Sequence, residues 1–364
     1  MSTLARVVVA PPSGPLLVER IALPDPGPTK VVVRQFASGI CHSQLHQLHR
    51  PRTKAALLGH ESTGEVIAVG SEVNHVKPGD MVFVTWVPRN AVEAMTWRGG
   101  VEITRPNGEP ATSADVFTWA DHTIADQSLV VKAPDGVAKD VTSIIGCAVM
   151  TGAGAVMNTA SVQRDQSVAI IGVGGVGLSA VIGAAHVGAN PIIAVDLDDE
   201  KLAFAKRFGA THVVNGRNGD VVQQIRALTK SEGLGFRGLS VEGVDFAFDC
   251  IGAKSTMEQI LSAAKPGRFG VARGGTAVLV GVPTTGMDLA VSELLMQEKS
   301  YIGSIGGSCS PDRDFPMFAQ WHADGRLPLD DMVTERVPIE AANEACDALE
   351  HGRISGRAIF DFTL

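Results

Sequence analysis

Residues 39–50, GICHSQLHQLHR, hold one cysteine, three histidines and one serine within a short span. Thiolate and imidazole are the ligands zinc prefers, and histidine, with an unperturbed pKa of about 6.5, also suits a proton relay. Taken alone, the stretch admits a metal site, a relay, or a polar helix whose histidines only meet solvent. Two other segments add to it. GHESTGEV places His60 and Glu61 just ahead of a strand pattern, and GCAVMTGAG places Cys147 far downstream. Cys41, His60 and Cys147 form a set of two thiolates and one imidazole, which leaves one position open on zinc, as catalytic rather than structural sites do. The spacing is wide. Either cysteine by itself reads more readily as a core residue, because free cysteine is among the most buried residue types.

A second constellation is glycine-rich. GVGGVG at 172–177 puts Gly172, Gly174 and Gly177 in the G-x-G-x-x-G pattern, with Gly175 and Val176 between them. In a chain with 40 glycines the pattern alone carries little. Its surroundings carry more: the apolar strand SVAII precedes it, a helical stretch follows, and Asp196 ends the next strand. That carboxylate stands at about the 20-residue offset a dinucleotide fingerprint expects. The glycines let backbone approach a pyrophosphate at the helix N-terminus. Asp196 would accept hydrogen bonds from ribose hydroxyls and repel a 2′-phosphate, which favours NAD over NADP. Lys201 flanks the same ribose. A ligand-free glycine turn is the alternative.

These residues need two scaffolds. The chain has 364 residues, more than one compact core usually serves. Residues 1–150 read as β-rich: ARVVVA, KVVVRQF, GEVIAVG and DMVFVTW are short β-branched runs between turn residues, the texture of a small barrel or sandwich. From about 150 the pattern changes to alternating strand and helix, a parallel doubly wound sheet. Amphipathic helices and the strand GRAIFDF follow from about 310. The expected division is a catalytic domain of 1–148 and 306–364 and a coenzyme domain of 149–305.

Composition sets limits. Hydrophobic residues make up 45% and charged residues 19%, the mix of a globular protein, and the net charge of −8 with no basic run argues against nucleic acid. No apolar run reaches the roughly 18–20 residues of a membrane span, and the start MSTLARVVVAPP lacks a secretory pattern. Five scattered cysteines fit a reduced, cytoplasmic setting.

In order along the chain, GICHS, GHESTGEV, VKPGD, GCAVMTGAGA, GVGGVG, VDLDDEK and SGRAIF resemble the zinc-dependent alcohol dehydrogenases of the medium-chain dehydrogenase/reductase family. The resemblance runs over essentially the whole length. It implies an α/β protein with a GroES-like β-rich catalytic domain built from both chain ends and an inserted Rossmann coenzyme domain. It implies catalytic zinc on Cys41, His60 and Cys147, with Glu61 an alternate ligand. A proton relay would run from Ser43 through the nicotinamide ribose to His46. His42 and Arg357 would face the coenzyme phosphates, Ile251 and Val282 would contact the coenzyme, and Trp86, Ser113, Ala114, Val282 and Ile305 would line the substrate pocket. For His42 simple exposure is the alternative, and His49 reads as a solvent histidine. Within the family, RDFP and GRLPLD..VTER look closest to class III-like, thiol-dependent formaldehyde dehydrogenases and bacterial aryl-alcohol dehydrogenases.

Two departures stand out. Relatives carry a four-cysteine lobe after the VTW-type strand, yet residues 86–130 contain no cysteine. One zinc per subunit and no structural zinc is the expectation. The folding energy of a closed site must then be replaced by packing, with Trp97 a candidate, or the lobe moves. Gln44 stands where relatives have an aspartate beside the zinc histidine. A neutral partner lacks the carboxylate's effect on ligand basicity, so zinc should be held less tightly. Small Ser113 and Ala114, where relatives are bulky, favour bulky or aromatic primary alcohols and aldehydes over ethanol.

The expected activity is NAD- and zinc-dependent interconversion of primary alcohols and aldehydes in a homodimer or homotetramer. Alternatives are a formaldehyde dehydrogenase acting on a thiol adduct, a nicotinoprotein whose segments KPGRFGVARGG and SEGLGFRGLSVEG cover the coenzyme, and a non-enzymatic coenzyme-binding sensor. Retention of the whole polar set argues against the last.

Overall fold

The computed structural model describes residues 3–96, 99–234 and 240–364. It divides into two compact units, Met1–Ala148 with Ser310–Leu364, and Val149–Cys309. The return to the first unit thus falls after Cys309 rather than after residue 305. The reason is local packing: Cys309 Sγ donates to the Met150 carbonyl at 3.4 Å, and Asn158 Nδ2 donates to the Gly307 carbonyl at 3.4 Å.

The first unit is built on two sheets. Strands β1 (Leu4–Ala10), β2 (Leu17–Ala22), β4 (Ala55–Leu57), β7 (Val101–Thr104) and β8 (Pro110–Ser113) form one, in the order β2-β1-β4-β8-β7. The other holds β3 (Lys30–Gly39), β5 (Ser62–Val69), β6 (Met81–Val84), β9 (His122–Asp126), β10 (Val130–Lys132), β19 (Val333–Val337) and β20 (Arg357–Asp361). Its path is β10-β6-β5-β3-β20-β19, with β9 also on β3. The alternation of β1, in which Ala5, Val7 and Val9 share one face, buries those residues against Phe117, Ile124 and Ile103. The opposite face of β1 gives Val8 to a second core around Trp119 and Phe360, whose rings meet edge to face at 5.2 Å. Trp119 Nε1 is satisfied by the Gly39 carbonyl at 3.1 Å, so a large aromatic is buried without an orphaned donor.

The lobe without cysteines is a short helix, Ala91–Thr96, followed by the β7–β8 hairpin. The hairpin joins the first sheet through a parallel pairing of β8 with β4. Val101, Ile103 and Ala111 enter the core, and Arg105, buried, grips Glu19 through Nε at 3.0 Å and Nη2 at 2.6 Å. Packing and a bidentate ion pair therefore hold this segment. Trp97 lies outside the described residues, as does part of SEGLGFRGLSVEG.

The second unit carries β11 (Val168–Ile171), β12 (Ile192–Asp196), β13 (His212–Asn215), the small pair β14 (Ser231–Leu234) and β15 (Ser240–Val241), then β16 (Phe246–Asp249), β17 (Thr276–Leu279) and β18 (Ser300–Gly303). The main sheet is six-stranded, β13-β12-β11-β16-β17-β18, and every pairing in it is parallel. That is the doubly wound order in which the chain reverses direction across the sheet after the third strand, placing a ligand crevice at the carboxyl ends of the two central strands. Buried Val, Ile and Ala fill these strands on both faces, as parallel sheets covered by helices require. Among the described residues no helix is long and apolar enough to cross a membrane.

Candidate functional site

Strand β3 ends at Gly39, and Cys41 is the N-cap of the helix His42–His49. This puts the thiol at the positive end of a helix, where a thiolate is favoured. Cys147 follows a 3-10 turn, Val141–Gly146, and its Sγ comes to 3.9 Å from Cys41 Sγ. The hydrogen bond from Cys147 holds the Cys41 thiol well below the usual thiol range, against desolvation and with help from Arg357 and His60. The same contact pushes Cys147 up. Ser43 Oγ also donates to Cys41 Sγ, at 3.2 Å.

His60 and Glu61 precede β5. The ligand atoms of Cys41, His60, Glu61 and Cys147 all lie within 4.8 Å of one another, and among the described residues no other group of histidine, cysteine and carboxylate side chains gathers in this way. His60 Nδ1 is 2.6 Å from Gln44 Nε2, while His60 Nε2 is buried and makes no hydrogen bond. Burial would lower the pKa of His60; the Cys41 sulfur overrides it, and the net shift is upward. A tetrahedral zinc with Zn–S bonds of about 2.3 Å holds its two sulfurs about 3.8 Å apart. The observed sulfur separation and the orphaned imidazole nitrogen therefore fit zinc.

Glu61 is fully buried. Its Oε2 accepts from the Ala148 N–H at 3.1 Å, and its Oε1 accepts from Arg357 Nη2. Burial raises the Glu61 pKa in spite of the guanidinium. The structure places Arg357 inside the first unit, 5% exposed and engaged with Glu61, with Nε left unpartnered; the resemblance had pointed it at coenzyme phosphate.

His42 is exposed and His46 half-buried on the same helix, with rings 6.2 Å apart. His49 is exposed and pairs with Glu350 at 3.0 Å. Trp86 stands edge-on to His60, ring centres 6.3 Å apart. Ser113 ends β8 with its hydroxyl donated to the Val116 carbonyl, and Ala114 is exposed. Asp115, which the sequence reading passed over, is half-buried; burial raises its pKa, and the positive potential of His60 opposes the shift. It lies in the cysteine-free lobe, where no motif marks it.

In the second unit Gly172 follows β11 with φ of +87°, and Gly174 caps the helix Gly175–Val187. A β-carbon on Gly177 would run into the Gly172 carbonyl, whereas one on Gly174 would meet nothing within 4 Å. The turn is tight where helix packs on strand and open where a phosphate approaches. Asp196 ends β12, and its carboxylate accepts from the Val173 N–H at 2.9 Å and the Leu197 N–H at 2.8 Å. Lys201 lies on the next helix, Asp199–Arg207. Ile251, Val282 and Ile305 follow the carboxyl ends of β16, β17 and β18 and are 47%, 45% and 77% exposed.

Comparison with known proteins places this geometry in a family. Residues 27–135 match the alcohol dehydrogenase GroES-like domain and residues 175–324 the zinc-binding dehydrogenase domain. The chain is 30% identical to S-(hydroxymethyl)glutathione dehydrogenase of Paracoccus denitrificans, over 95% of this chain and 97% of that protein. It belongs to the zinc-dependent alcohol dehydrogenases of the medium-chain family. Within this family, an alcohol dehydrogenase zinc-binding domain protein from Burkholderia ambifaria superposes with a TM-score of 0.87 at 30% identity, covering 99% of both chains. The benzyl alcohol dehydrogenase of Acinetobacter calcoaceticus superposes with a TM-score of 0.84 at 26% identity, again over 99% of each. As a zinc-dependent alcohol dehydrogenase the chain is an oxidoreductase, with the fold class its sequence implied.

Proposed function

We propose that this enzyme uses NAD and one zinc per subunit to interconvert primary alcohols and aldehydes, favouring bulky or aromatic ones over ethanol. The observation that carries the zinc assignment is His60 Nε2, buried and unpartnered beside the Cys41 and Cys147 sulfurs. Zinc bound there supplies Lewis acidity that lowers the pKa of a substrate hydroxyl, and NAD supplies the hydride acceptor.

The remaining roles fall to the chain. Cys41, His60 and Cys147 would hold the metal, a three-ligand set of the kind that leaves room for substrate. Glu61, neutralised by Arg357, is kept in reserve as an alternate ligand. The Ser43 hydroxyl would turn from Cys41 Sγ to accept the substrate proton as it gives up its own, and the relay would run by way of the nicotinamide ribose to His46 and then solvent. Asp196 favours NAD by repelling a 2′-phosphate. Exposed Ile251 and Val282 offer apolar contact to the coenzyme, and the backbone of Gly174 to Gly177 attracts its phosphates.

Preference for aromatic substrates is supported by Trp86 beside His60, by the small side chain of Ala114, and by the likeness to benzyl alcohol dehydrogenase. The test is kcat/KM for ethanol, benzyl alcohol and cinnamyl alcohol with NAD and NADP, with metal content measured on the same sample. A higher kcat/KM for ethanol than for the aromatic alcohols would refute the substrate assignment. The Paracoccus relative favours a second reading, oxidation of a thiol adduct of formaldehyde; including S-(hydroxymethyl)glutathione in the panel separates the two. β18 ends the six-stranded sheet, and we place the subunit contact of a homodimer or homotetramer along it.

A further inference from the structure

We propose that Gln44 is a positioning residue that opposes metal binding, because its amide matches the hydrogen-bonding pattern of the metal-free His60 and mismatches that of the metal-bound one. The proposal rests on the zinc reading above.

The Gly59 N–H donates to Gln44 Oε1 at 2.6 Å, and Gln44 Nε2 lies 2.6 Å from His60 Nδ1. A backbone N–H only donates, so Gly59 fixes which end of the amide is oxygen. The amide nitrogen therefore faces His60 and donates to Nδ1, and the hydrogen of the neutral ring sits on Nε2. A metal at Nε2 needs that lone pair, which sends the ring hydrogen to Nδ1, where it meets the amide N–H: two donors face each other. If the amide turns over, Oε1 serves His60 but the amide nitrogen then faces the Gly59 N–H. The conflict moves without disappearing.

The surroundings block an easy escape. Gln44 is 1% exposed, so water does not replace the lost partner. Gly59 has φ of +90°, and a β-carbon there would strike the Trp119 backbone nitrogen and Thr118 Oγ1, so its peptide is tightly held. The Thr118 and Trp119 N–H groups both donate to the adjoining Leu58 carbonyl at 3.0 Å. A carboxylate of the same shape has two acceptor atoms and satisfies both donors with the metal in place.

The test is zinc affinity, measured by competition with a chromophoric chelator, on the full chain and on Gln44→Glu and Gln44→Met. Melting temperatures report folding. Glutamate is expected to tighten zinc by about 10- to 100-fold, the range over which such outer partners act. Methionine keeps the length without donor or acceptor; it is expected to bind zinc at least as tightly as the wild type. Equal or weaker binding by folded Gln44→Glu, or a tenfold loss in folded Gln44→Met, overturns the proposal, since both are what a merely orienting glutamine gives. If the wild type takes up no zinc, or takes up as much after Cys41→Ser, the zinc reading itself fails. Should zinc bind through Cys41 with no gain from glutamate, only the role of Gln44 fails.

Discussion

Arg357 on the last strand and Glu61 before β5 form an ion pair buried beside the two thiols, across 296 positions of sequence. Two thiolates would balance a divalent metal, and this pair balances itself, so these side chains and zinc together would carry no net charge. Removing one partner of a buried pair leaves an uncompensated charge, which costs about 3–5 kcal/mol. Arg357→Met should lower the denaturation midpoint accordingly, and Glu61→Gln in the same chain should restore much of it. Equal destabilisation in the single and double variants would contradict the pairing.

Ser43→Ala tests the relay. Its hydroxyl contacts a ligand sulfur but is not itself one of the clustered ligands. Positioned proton transfer contributes about 10²–10⁴-fold. The variant should lose kcat at the lower end of that range while zinc content stays unchanged. A loss of zinc in step with kcat would make Ser43 a structural support instead.

Asp196→Ser tests coenzyme choice. The carboxylate is anchored by the Val173 N–H, so its charge is fixed near the glycine turn. The ratio of kcat/KM for NAD to that for NADP should fall by at least about tenfold, the factor that corresponds to 1.4 kcal/mol. An unchanged ratio places the ribose elsewhere.

Asp121 gives the first unit a pH dependence unrelated to the metal. It accepts from the Arg6 N–H at 2.9 Å, Arg6 Nε at 3.0 Å and His122 Nδ1 at 2.9 Å. Burial opposes its ionisation, but these partners prevail and hold the carboxyl below the usual carboxylate range. A depressed folded-state pKa contributes stability that is whole above the unfolded value of about 3.9 and is lost as pH falls through the folded value. Asp121→Asn should therefore flatten the acid limb of stability against pH while changing little of its shape above pH 5. An acid limb as steep as the wild type's would place the titrating group elsewhere.

What was legible in the sequence was what short stretches encode. The strand, glycine turn and helix around Gly172–Gly177 announce themselves through local periodicity, and Asp196 follows at a fixed offset. Cys41, His60 and Cys147 needed family resemblance, since nothing local links them. The β7–β8 hairpin was not legible as part of the first sheet. Its parallel pairing with β4 is set by tertiary contact, and a cysteine-free lobe reads only as a loss. The partnership of Arg357 with Glu61 was hidden for the same reason. Gln44 was visible as a departure, but its effect depends on Gly59, whose N–H direction no sequence reports.

β20 lies antiparallel to β3, with Ile359 opposite Gly39, and brings Arg357 to Glu61. On the ribosome this interval becomes time. At about 5–20 residues per second, roughly 15–60 s separate the synthesis of Glu61 from that of its counter-ion. During that interval the coenzyme unit emerges and can fold, while Cys41, His60 and Cys147 wait as an unfinished chelator on a nascent chain. The interrupted domain makes the metal pocket one of the last parts of the molecule to close.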